Sequence, residues 1–312
     1  MQAATNDIEE IFLPELIAKE IRLFLKREDA LHPVISGNKY RKLFYNIAFA
    51  KKKEYTELLT FGGAFSNHIL ATAGAGFEFG FKTVGVIRGE ELGVDLEKTL
   101  LNNDTLRRAK DYGMQFEFIS RSDYKEKSSQ SFLLTLKEKY PNAYILPEGG
   151  TNEKAIKGCE EILNEHTEDF EFICCAVGTG GTISGIINSS SKHQQVFGFP
   201  ALKGDFLEKE IKGNKVNKNN WEIIPDYHFG GYAKISEELI TFNNNFFKTS
   251  GVLLDPIYTG KMFYGIVDMV KKDKFAKGTK ILAIHTGGLQ GISGMNSVLA
   301  KRNMPLLIDR NI

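Results

Sequence analysis

Cysteine is scarce and poorly placed for cross-linking. The 312-residue chain has three, Cys159, Cys174 and Cys175. The number is odd, the neighbours Cys174 and Cys175 cannot easily bridge each other, and no Cys-x-x-Cys pairs with a second one. A disulfide or zinc framework is not expected, and a reducing compartment, the cytoplasm, is. Long apolar runs are missing as well: nothing approaches the ~18 uncharged apolar residues of a membrane span. The opening Met-Gln-Ala-Ala-Thr-Asn-Asp-Ile-Glu-Glu lacks the basic start and apolar core of a signal peptide. Neither charge is in excess. With 40 basic against 39 acidic residues, no general field favours nucleic acid or an anionic membrane. The six histidines are scattered, with no metal-ligand spacing. No Gly-x-Ser-x-Gly elbow occurs either, so metal and serine-hydrolase readings fall away.

What is present is an ordinary globular composition, 42% hydrophobic and 25% charged. A chain of this length buries about 75% of its unfolded surface and suggests about two domains. Short apolar runs mark candidate strands at Glu57–Phe61, Thr83–Ile87, Gln115–Ile119, Ala143–Leu146, Phe172–Val177, Val196–Phe199 and Ile281–Ile284. Helical spacing marks Leu96–Tyr112, Ser131–Lys139, Lys154–Glu165 and Met262–Lys271. The alternation predicts an α/β fold of parallel sheets with helices on both faces. Lys203–Asn220, rich in Lys, Asn and Gly, reads as a solvated helix-loop outside the main sheet. No linker splits the chain, so two domains would mean one inserted into the other. Ligands in such folds sit beyond the carboxyl ends of strands, which directs attention to strand-to-helix junctions.

One junction runs from the buried strand Phe172–Val177 into Gly178-Thr179-Gly180-Gly181-Thr182 and a helix. Glycines let backbone N–H groups approach a ligand, and a helix N-terminus adds positive partial charge, so this loop suits a phosphate. A Walker loop needs Gly-Lys-Ser/Thr, and a dinucleotide fingerprint needs glycine where Ile183 stands; neither matches. A compact cup for a terminal phosphate monoester remains. The helix dipole contributes ~0.3–2 kcal/mol, so charge-assisted amide bonds at ~1.5–3 kcal/mol each must contribute more.

Ser36-Gly37-Asn38-Lys39-Tyr40-Arg41-Lys42-Leu43 opens a helix with apolar positions Tyr40, Leu43, Phe44 and Ile47, which Ser36 or Asn38 can cap. Lys39 in the first turn meets the positive helix end, and Arg41 and Lys42 add to it; all favour a neutral amine, as a lysine that condenses with an aldehyde requires. Taken alone, the run reads as a basic face exposed to water. At a second junction, Gly62-Gly63-Ala64-Phe65-Ser66-Asn67-His68 begins a helix where Ser66 and Asn67 could clamp an anion, or Ser66 could simply cap. His68 could equally be a packed helix residue. Asp255-Pro256-Ile257-Tyr258-Thr259-Gly260-Lys261 and Ile284-His285-Thr286-Gly287-Gly288 set further polar groups beside glycines.

Taken together and in order, the runs at 37–43, 66–68, 178–182, 255–261 and 285–288 resemble the D-cysteine desulfhydrase/1-aminocyclopropane-1-carboxylate deaminase family. These are tryptophan-synthase-β-like, fold type II enzymes that depend on pyridoxal 5'-phosphate. The resemblance implies two open twisted, mostly parallel sheets: a large cofactor domain of residues 1–42 plus 149–312, with a small domain of 43–148 inserted. It also implies a homodimer acting on a small amino acid. Lys39 would hold the cofactor and move the proton at the substrate Cα. Gly178, Thr179, Gly180, Gly181 and Thr182 would hold its phosphate, with Lys42 assisting. Asn67 would touch the ring hydroxyl, Ser66, Asn67 and His68 would meet the substrate, and Tyr232 and Tyr258 match the family's active-site tyrosines.

Thr259 stands where the deaminase branch resembles a glutamate facing the pyridine nitrogen. A hydroxyl at Thr259 or Thr286 is too weak an acid to protonate that nitrogen, so the expected reaction is β-elimination of D-cysteine, or a related β-substituted D-amino acid, to pyruvate, ammonia and hydrogen sulfide. The alternatives are 1-aminocyclopropane-1-carboxylate deamination and a non-catalytic protein that binds the cofactor or a phosphate ligand. Phe65 and Leu70-Ala71 depart from the family's usual glutamine and Arg-Gln.

Overall fold

The computed structural model describes residues 8–309. Residues 1–7, where most of the signal-peptide reading falls, and residues 310–312 lie outside the described residues. The strands are β1 (Ile8–Ile11), β2 (Arg22–Lys26), β3 (Glu57–Gly62), β4 (Lys82–Arg88), β5 (Gln115–Ile119), β6 (Ala143–Ile145), β7 (Phe172–Val177), β8 (Gln195–Pro200), β9 (Trp221–Ile223) and β10 (Lys280–Ile284). They form two sheets, ordered β1-β2-β10-β7-β8-β9 and β5-β4-β3-β6. Every pair is parallel except β1 with β2. The smaller sheet draws all its strands from residues 57–145 and the larger from the rest of the chain.

Central parallel strands are covered on both faces, which is why β7 and β10 are unbroken apolar runs. Along β7, Cys174 and Ala176 join one core layer while Ile173, Cys175 and Val177 join the other. Adjacent Cys174 and Cys175 therefore point to opposite faces, and both are free thiols. In β10, Ile281 and Ala283 face the first layer, Leu282 and Ile284 the second.

Seven strands follow the apolar runs. The other three, β1, β2 and β9, leave no clear apolar run, because Glu9-Glu10, Arg22 and Glu222 interrupt short segments, of which β1 and β9 are the sheet's edges. The helical stretch Leu96–Tyr112 is two helices, Leu96–Asn102 and Asp104–Asp111. Asn103 breaks it: its backbone is extended and its side chain accepts from Leu106 N, capping the second helix. The stretch Lys154–Glu165 stops early, as helix Glu153–Glu160. Lys203–Asn220 is not a solvated appendage. Its helix Phe206–Gly213 buries Leu207 and Ile211 in the second core layer, and Lys218 Nζ donates to the carbonyls of Asn188 and Ser190, at 2.7 and 2.5 Å.

Helix Asn38–Lys52 lies between the two sheets' cores, with Leu43, Ile47 and Ala50 packed against Leu58 and Leu146. Arg41 and Lys42 are buried, which overturns the reading of a solvated basic face. Arg41 forms a bidentate pair with Glu28 (2.8 and 2.9 Å), and Glu28 is 1% exposed. Removing one partner of a buried pair strands the other charge. Glu28→Ala should therefore cost about 3–5 kcal/mol, read as a lower denaturant midpoint at unchanged slope. A loss within experimental error would mean that this pair does not hold the helix.

Candidate active site

Strand ends of both sheets open on one cavity of about 460 Å³. Its lining includes Lys39, Lys42, Ser66, Asn67, His68, the whole loop 178–182, Tyr232, Tyr258 and Thr286. Thr259 is absent from that lining.

Lys39 is placed by the residue two before it. Gly37 has φ +62°, and a Cβ there would stand 2.0 Å from Thr286 O, so no other residue fits. Asn38 N donates to Thr286 O at 3.2 Å, docking the helix start on the end of β10. Gly37 is the N-cap residue and no side chain caps the helix, contrary to the expectation for Ser36 or Asn38. The Asn38 side chain is used elsewhere: its Nδ2 donates to Thr182 Oγ1 (2.9 Å) while its Oδ1 accepts from Lys39 Nζ (2.9 Å). A single amide thus ties the amine to the glycine loop. Burial, with Lys42 second, pulls the Lys39 ammonium down to about 7. Arg41, expected to share in this, is turned toward Glu28 instead.

Gly180, in the left-handed region at φ +79°, begins helix Gly181–Ser189 with no side-chain cap, which leaves the first-turn amides to the cavity. Beneath it, a Cβ on Gly180 would lie 3.4 Å from Ile211, and Asn214 Nδ2 donates to Ser184 Oγ at 3.0 Å, so the lysine-rich segment supports the loop. Beside it, Lys42 Nζ donates to Gly149 O (2.9 Å) and Thr151 Oγ1 (3.0 Å), and the Thr151 and Thr179 hydroxyls are 2.7 Å apart. Among the described residues no carboxylate pairs with Lys42. A buried ammonium held by one carbonyl and one hydroxyl, next to uncapped amides, suits an anion. A phosphate monoester carrying an aldehyde fits these residues: the cup and Lys42 for the phosphate, Lys39 for the aldehyde.

On the opposite wall, Ser66 Oγ accepts from Ile69 N at 3.4 Å, a long cap that leaves the hydroxyl in the cavity lining. Asn67 Oδ1 accepts from Gln290 Nε2, a bond across to the larger sheet's side. His68 is 1% exposed, and neither ring nitrogen has a partner among the described residues. Burial, then Lys39 and Lys42, hold it neutral, well below the usual imidazole range. Gly150, at φ +71°, makes room for it: a Cβ there would be 2.8 Å from His68 Cε1.

Tyr258 and Tyr232 meet edge to face, centroids 6.2 Å apart, with Tyr232 45% exposed at the mouth. Burial raises both phenols, Tyr258 strongly. Asp255 anchors this wall, accepting from the amides of Ile257, Tyr258 and Thr259 at 2.9, 2.9 and 2.7 Å. Thr259 Oγ1 also donates to Asp255 (2.8 Å), and the residue is fully buried. Its hydroxyl is therefore committed away from the cavity, a correction to its expected place facing the ring; Thr286 is the threonine in the lining. His285 fixes that threonine's loop, with Nε2 against Leu253 O (2.7 Å) and Nδ1 accepting from Gly287 N (3.2 Å). Lys261 Nζ donates to the carbonyls of His228 and Gly231 (2.9 and 2.7 Å), holding the turn that carries Tyr232. Sequence reasoning gave Asn38 only a capping role and gave none to Thr151, Asp255, Lys261 or Gln290. Only Asn38, Asp255 and Lys261 lay inside motifs that could have signalled them.

Among the described residues no group of three or more His, Cys, Asp or Glu could hold a metal, and no helix is long and apolar enough to cross a membrane. A family model described as pyridoxal-phosphate dependent enzyme matches residues 11–287. The bifunctional D-cysteine desulfhydrase/1-aminocyclopropane-1-carboxylate deaminase of Arabidopsis thaliana mitochondria is 33% identical over 86% of this chain and 73% of that protein. A D-cysteine desulfhydrase of Klebsiella pneumoniae is 26% identical over 89% and 90%. Among solved structures, a homologue of 1-aminocyclopropane-1-carboxylate deaminase superposes with a TM-score of 0.78 at 28% identity, covering 95% of this chain and 93% of that one.

The Lys39 amine makes cofactor-free stability depend on pH. Its pKa falls from 10.5 unfolded to about 7 folded, so between these values the unfolded chain binds a proton that the native one does not. Stability then rises with pH across that window. Lys39→Met should reduce this rise in the denaturant midpoint, leaving the share of Lys42 and of Lys261, which burial also pulls down; an identical pH profile in both proteins would contradict the lowered pKa.

Proposed function

From the chain's membership of the pyridoxal-phosphate-dependent enzymes, we propose that it is a lyase that eliminates hydrogen sulfide from D-cysteine. D-Cysteine and water give pyruvate, ammonia and hydrogen sulfide: the Cα–H and Cβ–S bonds break, and sulfur leaves as thiolate and takes up a proton. Pyridoxal phosphate, when bound, supplies an aldehyde and a ring that accepts electron density from the substrate Cα.

The residues then divide the work. The loop 178–182 and Lys42 hold the phosphate. Lys39, pulled down to about 7 by burial so that neutral amine is available near that pH, takes the Cα proton. The N-terminus of helix Asn67–Phe79, with Ser66 and the neutral His68, holds the substrate carboxylate. Tyr232 and Tyr258 close the cavity beside the leaving group.

The choice of reaction rests on one observation: the cavity has no free acid. Glu148 is the sole carboxylate among its lining residues. It already accepts from Tyr124 OH (2.7 Å) and pairs with Lys127 (3.2 Å). The Asp255 carboxylate is spent on three amides and Thr259. A ring nitrogen beside Thr286 would have no proton donor of carboxylic strength, which limits electron withdrawal. Elimination tolerates this because the leaving thiolate removes the charge at once. Ring opening of 1-aminocyclopropane-1-carboxylate is the second reading, favoured by the double activity in the Arabidopsis relative's name. On the same proposal the enzyme is a homodimer, and its compartment is the cytoplasm, with which three free, buried thiols are in keeping.

Purified enzyme should release pyruvate from D-cysteine faster than from D-serine, and faster than it forms 2-oxobutanoate from 1-aminocyclopropane-1-carboxylate. Inactivity on all three would sink the lyase reading, and faster 2-oxobutanoate formation would reverse the choice of reaction. Lys39→Ala should lose at least ~10²–10⁴-fold in turnover, together with the borohydride-sensitive visible absorption; a surviving band would move the cofactor to another lysine.

A further inference from the structure

We propose that Arg88 recognises a second, distal acidic group on the substrate, so that the site favours amino acids whose leaving group ends in a carboxylate; this rests on the lyase reading above. Arg88 is the last residue of β4, the neighbour of β3, whose end leads into the Ser66–His68 turn. It lines the cavity, and a Cβ built on Gly63 would stand 3.6 Å from its Nη2, so the guanidinium lies over that turn. Its centre is 5.8 Å from the Tyr124 ring centroid. Among the described residues no carboxylate pairs with it.

The remaining charges at the rim do not neutralise it. Glu148, the carboxylate in the lining, is engaged by Tyr124 and Lys127 and forms no ion pair with Arg88. The other cavity cations have assigned work: Lys39 on Asn38, Lys42 on Gly149 and Thr151. With the substrate's own carboxylate met by the helix start at Asn67, Arg88 is left as an open, planar fork at the mouth, beside Tyr232. Such a fork suits a carboxylate in bidentate contact. S-carboxymethyl-D-cysteine would be a substrate of this class: with water it gives pyruvate, ammonia and thioglycolate, by breaking its Cα–H and Cβ–S bonds.

The test is a titration of the holoenzyme with S-carboxymethyl-D-cysteine and its neutral amide analogue. The cofactor's visible absorption reports binding with or without turnover. The acid should bind about tenfold tighter than the amide, and Arg88→Gln should bring the ratio close to one. Equal affinities in the wild-type enzyme overturn the proposal. So does a ratio that Arg88→Gln leaves unchanged, whether both affinities hold or both fall, since a common fall would assign Arg88 to the substrate's own carboxylate. Binding of both compounds with no pyruvate from D-cysteine would remove the lyase reading alone; no spectral response to either compound would remove both.

Discussion

The structure turns on one amide. Asn38 accepts from the Lys39 amine through its oxygen and donates to Thr182 through its nitrogen. The two halves of the site, some 140 residues apart in sequence, are held in register by two bonds of 2.9 Å from a single side chain. That amide is itself fixed by the backbone behind it. Gly37 must take a positive φ and lie against Thr286 O, where any Cβ would collide. The end of β10 therefore determines where the helix starts, the helix start determines where the amine sits, and the amine faces the loop that follows β7. The neighbouring positions of β10 and β7 in the sheet bring these ends within reach of one another.

Three of the other buried cations surround this arrangement, and each is handled differently. Arg41 is fully compensated by Glu28 and serves to hold the helix. Lys261 donates to two carbonyls, and burial pulls it down to about 8; its role is to position the turn before Tyr232. Lys42 has only a carbonyl and a hydroxyl, at the edge of an uncapped helix start. Desolvating a charge without a counter-charge is costly, and of the two lysines so placed Lys42 is the one that lines the cavity. The division explains how adjacent residues in Lys39-Tyr40-Arg41-Lys42 come to do unrelated things: helical spacing sends Arg41 to Glu28, while Lys39 and Lys42 share the cavity side.

Much of this was legible in the sequence. Buried parallel strands are apolar on both faces, so β7 and β10 announced themselves, and glycines at strand ends marked the junctions where the cavity lies. What periodicity could not carry was any property decided by a distant partner. Asn38 looks like a cap residue in one dimension; in three, Thr182 competes for its side chain and Gly37 takes the cap. Thr259 is expected at the cofactor ring because it stands at the deaminase branch's glutamate position, yet Asp255 four residues back captures its hydroxyl. The segment at 203–220 looked solvated because its lysines outnumber its apolar residues, but Leu207 and Ile211, four apart, are enough to dock one helical face. Edge strands such as β9 are short and half polar, and their pairing is set by β8 and not by their own pattern.

The residues that depart from the family pattern bear on whether the chemistry is retained. Phe65 is partly exposed, and a Cβ on Gly294 would come within 2.8 Å of its ring, so the phenylalanine rests on a glycine of the helix Gly291–Lys301. Leu70 and Ala71 face inward, at 2% and 1% exposed, in two different apolar clusters on either side of their helix. None of the three removes a polar group from the hydrogen-bonded set around Lys39, Thr182 and Lys42. Their substitutions rebuild packing behind and beside the Ser66–His68 turn while leaving its polar atoms in the cavity. A chain that had lost its reaction would have no reason to keep two buried lysines with no carboxylate partner among the described residues beside an uncapped helix start, because each costs stability when nothing is bound.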